Sequence, residues 1–205
     1  MDDQAWLELL NSDWHDYRGS GLRRDLIDDP AWLERFVKPW RPALPGVPDG
    51  TIRAALKGLR RTIRAMVDRV AAGRDIPARL WSELNAILAE SPFVRRLERS
   101  GPGYAFLLVP RNPGLGAMLG EIASGFGERL ARGEPARIKI CDNRDCRWVF
   151  YDRSKNRSRR WCEGNTGCGN LMKVRRFRAR HKPRHPTPAV RGVCLARKAE
   201  KDERG

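Results

Sequence analysis

Four cysteines in the last third constrain the fold of this 205-residue chain more than any other feature. Four residues lie between Cys141 and Cys146, five lie between Cys162 and Cys168, and fifteen separate the two pairs. Short pairs of this kind form tight knuckles, and a loop of that length carries the second knuckle to the far side of a tetrahedral ion. The spacing predicts one structural Zn2+ held by Cys141, Cys146, Cys162 and Cys168. Four thiolates leave no open coordination position, so the ion contributes folding energy rather than chemistry on a substrate. His181 and His185 are the competing donors, and two cysteine pairs make the simpler set. Cys194 has no near partner in sequence and reads as a free thiol.

Charge is divided as unevenly as the cysteines. Residues 1–136 hold 20 Lys and Arg against 18 Asp and Glu, net +2. Residues 137–205 hold 21 against 7, which places +14 of the total +16 there. A field concentrated in this way attracts polyanions. The N-terminus, MDDQAWLELL, has neither a basic leader nor a long apolar run, and no stretch reaches the ~18 apolar residues of a membrane span. These features predict a cytoplasmic, nucleoid-associated protein without a membrane partner, in a compartment where paired thiols hold metal more often than they form disulfides.

The pattern predicts an α+β chain: a mainly α-helical domain with a small β element over 1–136, a treble-clef-like finger over 137–182, and a disordered basic tail over 183–205. Asp29-Pro30 pairs an N-cap acid with a first-turn proline. Ile52, Leu56, Leu59, Ile63, Met66 and Val70 recur at helical spacing between Thr51 and Ala72. A further helix follows Pro77, with Leu80, Leu84, Ile87 and Leu88 on one side and Ser91-Pro92 as its stop. Another runs from Pro113 to Gly133 through Leu115, Leu119, Ile122, Phe126 and Leu130. Its glycines at 116, 120, 125 and 127 either weaken it or mark close packing. Between these two helices, Tyr104–Val109 reads as a strand, with Phe93–Arg99 as its partner. Residues 39–50, with four prolines, form a loop. Asn11, Asp13, His15 and Asp16 either line a small-molecule pocket or cap a solvated helix end. No nucleophile or acid–base pair is legible, so an enzyme is not expected.

In the finger, Arg137–Ile140 and Arg147–Tyr151 read as strands flanking the first knuckle. Leu171–Lys182 reads as a helix whose Leu171, Val174, Phe177 and His181 pack on the hairpin. Five cations crowd residues 153–160. Arginine forks match phosphate oxygens and base edges, which makes Arg153, Lys155, Arg157, Arg159 and Arg160 candidate nucleic-acid contacts. Lys173, Arg175, Arg176, Arg180 and Lys182 join them from the helix. Trp148, Phe150 and Trp161 are assigned to the finger's own core, with base stacking as the alternative.

The same residues carry a family resemblance. Cys141-x4-Cys146, Phe150-x-Asp152-x-Ser154-x-Asn156-Arg157-Ser158-Arg159-Arg160-Trp161-Cys162 and Cys168-Gly169-Asn170 resemble the CGNR zinc finger of bacterial transcriptional regulators. Two departures stand out: the second pair has one more intervening residue than the family usually has, and Leu171 replaces the motif Arg. Upstream, Leu84-Asn85-Ala86 and Gly133-Glu-Pro-Ala-Arg137 resemble the accompanying stress-induced (ABATE) domain. The resemblance implies zinc-dependent DNA binding in transcription control, with the N-terminal domain sensing a small-molecule effector or forming a homodimer. An RNA-binding finger and a protein-interaction module are the alternatives.

Overall fold

The computed structural model describes residues 4–132, 134–163 and 167–181. In chain order the elements are α1 (Ala5–Asn11), β1 (Asp13–His15), β2 (Arg23–Asp25), α2 (Pro30–Val37), α3 (Asp49–Ala71), α4 (Ala78–Ala89), β3 (Phe93–Ser100), β4 (Gly103–Pro110), α5 (Leu115–Ala131), β5 (Ile138–Ile140), β6 (Val149–Tyr151) and α6 (Cys168–Arg180). The strands pair as three antiparallel ribbons, β1–β2, β3–β4 and β5–β6. No described helix is long and apolar enough to cross a membrane. The 183–205 tail, with His185 and Cys194, and Lys182 lie outside the described residues.

Helix α3 is the centre of the helical layer. Ile52, Leu56, Leu59, Ile63 and Met66 are buried at the expected spacing, Val67 joins them, and Val70 is half-buried. Each fully buried aliphatic side chain of this kind stabilises by roughly 1.5–3 kcal/mol. Helix α2 starts as Asp29-Pro30 dictates, with the Asp29 carboxylate accepting from the Ala31 N–H at 2.9 Å. Helix α5 packs across α4 and α3. Its buried side is Met118, Ile122 and Phe126, whereas Leu115, Leu119 and Leu130 are only partly covered. Gly120 is the reason α5 can approach the end of α4: a Cβ there would lie 2.3 Å from the Ser91 Cβ. Strands β3 and β4 form as expected, with Leu97 opposite Phe106.

Helix α1 was not legible from periodicity, because seven residues make too short a stripe. It is nevertheless central. Trp6, Leu9 and Leu10 are buried, and the Trp6 ring meets Phe126 at 5.4 Å between centroids. Its last residue, Asn11, is not a solvated cap, although it lines the cleft between α1, α2 and the finger beside Glu8 and Asp29. It is buried, donates to the Val149 carbonyl at 2.9 Å, and accepts from the Val149 N–H at 2.8 Å. One side-chain amide thus pairs with β6 as a neighbouring strand would.

Strands alternate faces, and the three-residue ribbon β5–β6 uses both. Ile138 and Val149 enter the core of the helical domain, with Ile140 and Tyr151 packed against it. Phe150 points the other way, among the cysteines. The finger therefore shares a wall with the N-terminal domain. Replacing Asn11 by Ala leaves both polar groups of Val149 buried and unpaired, at about 1–3 kcal/mol each. The Asn11→Ala protein is expected to unfold at lower urea concentration than the parent, measured by far-UV circular dichroism; an unchanged midpoint would remove this contact from the account.

Candidate metal centre and nucleic-acid interface

The four cysteines converge as their spacing requires. Cys141 leaves β5, and its N–H donates to the Trp148 carbonyl at 2.8 Å, closing the knuckle over β6. Within the knuckle, the Cys146 N–H donates to the Asn143 carbonyl at 2.9 Å. Arg147 then takes a left-handed φ of 55° to turn the chain into β6. Cys168 opens α6, where a helix N-terminus favours a thiolate. The sulfur atoms all lie within 4.8 Å of one another, and Cys146 and Cys162 are 3.7 Å apart. A tetrahedral ion with sulfur ligands at about 2.3 Å needs edges of about 3.8 Å, so the cluster fits one metal ion. Cys141, Cys146 and Cys168 are buried, and Cys162 is half-buried. Hydrogen bonds from Cys146 and Cys162 pull the Cys141 thiol far down, while Cys162 is pushed up to about 12 and Cys146 is also raised, chiefly by bonding to Cys141. Cysteine ligands give up their protons when a cation enters such a set. His181 stands at the far end of α6, stacked on Phe177 at 4.1 Å, and takes no part in the cluster.

Sequence reasoning missed the residues that support this centre. Asn143 donates to the Cys168 sulfur at 3.3 Å and to the Tyr17 carbonyl at 2.7 Å. Gly19, at φ +94°, lets the β1–β2 loop close against the knuckle; a Cβ there would sit 3.0 Å from the Asp145 carboxylate. The stretch read as either a pocket lining or a solvated helix end thus also leads into a loop that braces the knuckle. Asp13 pairs with Arg23 at 2.6 Å, and Asp16 accepts from Arg18 and Ser20 of its own turn. Of these residues only His15 faces the centre, in a cavity of about 290 Å³ shared with Cys146, Cys162 and Cys168.

Asp152 is the second organiser, and its side chain is fully buried. It accepts from Lys139 Nζ at 2.7 Å, from the Ser154 N–H at 2.9 Å and from the Arg159 N–H at 3.0 Å. Burial alone would raise its pKa, but these donors outweigh burial and hold the carboxyl well below its ordinary 3.8. Lys139 also donates to the carbonyls of Arg157 and Arg159. One ion pair thus fixes the backbone of the basic loop from beneath. An Asp followed two residues later by Ser was the readable signal, since that pair favours an Asx turn.

The candidate cations fall into two groups. Arg157 pairs with Glu134 at 3.2 Å, Arg160 with Asp142 at 2.5 Å, and Arg175 with Asp145 at 2.9 Å. Arg159 donates to the carbonyls of Trp161 and Cys162 and lies over the Phe150 ring. These four brace the finger itself. Arg153, Lys155, Lys173 and Arg180 are exposed, with no polar partner among the described residues. Arg160 and Arg176 both lie over Trp161, at 5.4 and 5.5 Å, and so tie the loop to α6.

Two expectations are corrected. Val174 and Phe177 do not pack on the hairpin; they are 36% and 62% exposed. Because Cys168 faces the other three thiols, the inward arc of α6 runs through positions three, four and seven residues on, namely Leu171, Met172 and Arg175, which are half-buried. Trp148 is 38% exposed rather than core, whereas Phe150 is buried and Trp161 half-buried.

Residues 3–133 match the ABATE family, whose description reads "Putative stress-induced transcription regulator". The chain belongs to that family. Residues 137–181 match the CGNR zinc finger, so the four-cysteine centre lies wholly within the second match. No curated protein matches the chain. The longer second knuckle, at residues 164–166, and Gly133 lie outside the described residues.

Elemental analysis of the reduced ABATE–CGNR protein is expected to find one tightly held metal ion per chain, and Cys146→Ser to abolish it. Asp152→Asn should retain the ion but destabilise the finger by about 2 kcal/mol, the scale of lost charge-assisted hydrogen bonds. Full stability of that variant in thermal melts would show that the loop needs no anchor.

Proposed function

We propose that this ABATE–CGNR protein is a zinc-dependent DNA-binding regulator, acting in the cytoplasm on duplex DNA. The observation that carries the proposal is the division of labour among the cations. Lys139 and Asp152 fix the loop backbone, four arginines are consumed in bracing, and Arg153, Lys155, Lys173 and Arg180 remain exposed without polar partners among the described residues. Pre-organised, unneutralised cations on a rigid frame suit phosphate oxygens, because little conformational entropy is lost on contact. Zinc is the ion proposed for the four thiolates, since a closed sulfur set at tetrahedral spacing is its usual structural site.

The helical domain has the proposed role of modulating the finger, by binding an effector or by pairing two copies. A cleft of about 800 Å³ lies where α1 and α2 meet the finger, lined by Glu8, Trp32, Arg35, Trp148, Arg153 and Arg159. A ligand there would touch both domains and a free cation of the interface at once. Trp148, exposed beside Arg153 and Arg159, also favours a second reading, stacking on an unpaired base of RNA or single-stranded DNA.

If six cations reach phosphates, log affinity for duplex falls with log salt at a slope of about −5. Joint alanine substitution of Arg153, Lys155, Lys173 and Arg180 is expected to flatten that slope by about 3–4 with the melting temperature unchanged. Alanine at Arg159 or Arg175 should instead lower stability first. Fluorescence anisotropy with duplex, single-stranded and structured RNA probes checks both readings. A slope near zero on every probe would refute nucleic-acid binding, and a Trp148→Ala loss confined to single strands would favour the second reading.

A further inference from the structure

Among the described residues, neither strand of the β3–β4 ribbon has extended contact with another element. Leu97, Tyr104, Phe106 and Leu108 are 57%, 75%, 74% and 55% exposed. The register places all four on one face, with Leu97 opposite Phe106, and with Tyr104 and Leu108 two residues to either side. A two-stranded ribbon is marginal in water, and among the described residues no third strand pairs with either of its outer edges. We propose that β4 pairs antiparallel with β4 of a second copy of this chain, with Phe106 on the two-fold axis.

Charge selects the edge and the partner. Strand β3 carries Arg95, Arg96, Glu98 and Arg99, whereas β4, from Gly103 to Pro110, carries no charge. In a chain of net +16, copies repel, and pairing β3 with β3 would set arginines beside arginines. The β4 edge lacks that penalty. Three leucines on the ribbon also suit an apolar protein contact better than a polyanion.

Shape selects the register. Antiparallel pairing about a two-fold axis places one residue opposite itself. With Phe106 there, Tyr104 meets the partner's Leu108, small Ala105 meets the partner's Leu107, and Gly103 meets the partner's Val109. Pro110, which has no N–H to donate, then falls just beyond the paired stretch. A register centred on Leu107 would instead draw Pro110 into the ladder opposite Tyr104. The product is a four-stranded sheet in which the two apolar faces become continuous.

This inference deepens the proposed pairing role of the helical domain and is independent of what the finger binds. Sedimentation velocity of the metal-loaded full chain, without nucleic acid, is expected to show a monomer–dimer equilibrium in the micromolar range. Phe106→Arg sets two cations on the axis and should weaken the dimer by about 100-fold, with far-UV circular dichroism and metal content unchanged. Arg96→Ala, on the outer strand, should leave it intact. Oxidation of a Phe106→Cys variant should give a disulfide joining position 106 to position 106, identified by peptide mass. A chain that stays monomeric at about 100 μM, or a dimer as strong in Phe106→Arg as in the parent, would overturn the proposal. Either result would leave the salt dependence of DNA binding unaffected, so the two readings fail separately.

Discussion

A ribbon of three residues per strand is the wall that two cores share. On one side, Ile138 and Val149 complete the apolar core built around α3; on the other, Phe150 closes over the cysteine cluster. Neither side tolerates displacement, because the faces of a strand exchange with every one-residue slip. Asn11 fixes the position of the wall by bonding both backbone groups of Val149. The β1–β2 loop reaches round to Asn143 and Arg175, and α3 adds a bond from Arg64 to the Arg147 carbonyl. The finger is thus seated on the helical domain from several sides.

That seating changes what the arginines do. A basic loop on an isolated finger would be a mobile cation cloud. Here the loop carbonyls converge on Lys139, and its amides converge on the buried Asp152 carboxylate. Glu134, just before the finger, holds Arg137, Arg157 and the Tyr151 hydroxyl. Its carboxyl is drawn below the ordinary value by the Arg137 hydrogen bond first and Tyr151 second. Much of the local positive charge is therefore spent on holding a shape, and the side chains left over project from a fixed frame.

The sequence was most legible where one rule governs. Helical period placed α3 and α4, Asp29-Pro30 placed the start of α2, and cysteine spacing placed the metal centre. Legibility ended where tertiary partners decide. Asn11 looks like a polar cap until Val149, 138 positions away, appears beside it. The face of α6 follows from Cys168 pointing at the other three cysteines, and a hydrophobicity arc drawn through Val174 and Phe177 cannot know that constraint. Arg157 and Arg160 look like free cations until the fold supplies Glu134 and Asp142. Local composition shows which residues can bind phosphate; only the folded chain shows which are already occupied.

The most direct test of this shared-wall account is native-state hydrogen exchange of the metal-loaded protein, followed at the Val149 amide. Bonded to the buried Asn11 side chain, that amide should exchange only with the global opening that also releases the amides of α3. Rapid exchange at Val149 while α3 stays protected would show that the finger is not seated on the helical domain, and the account would fail.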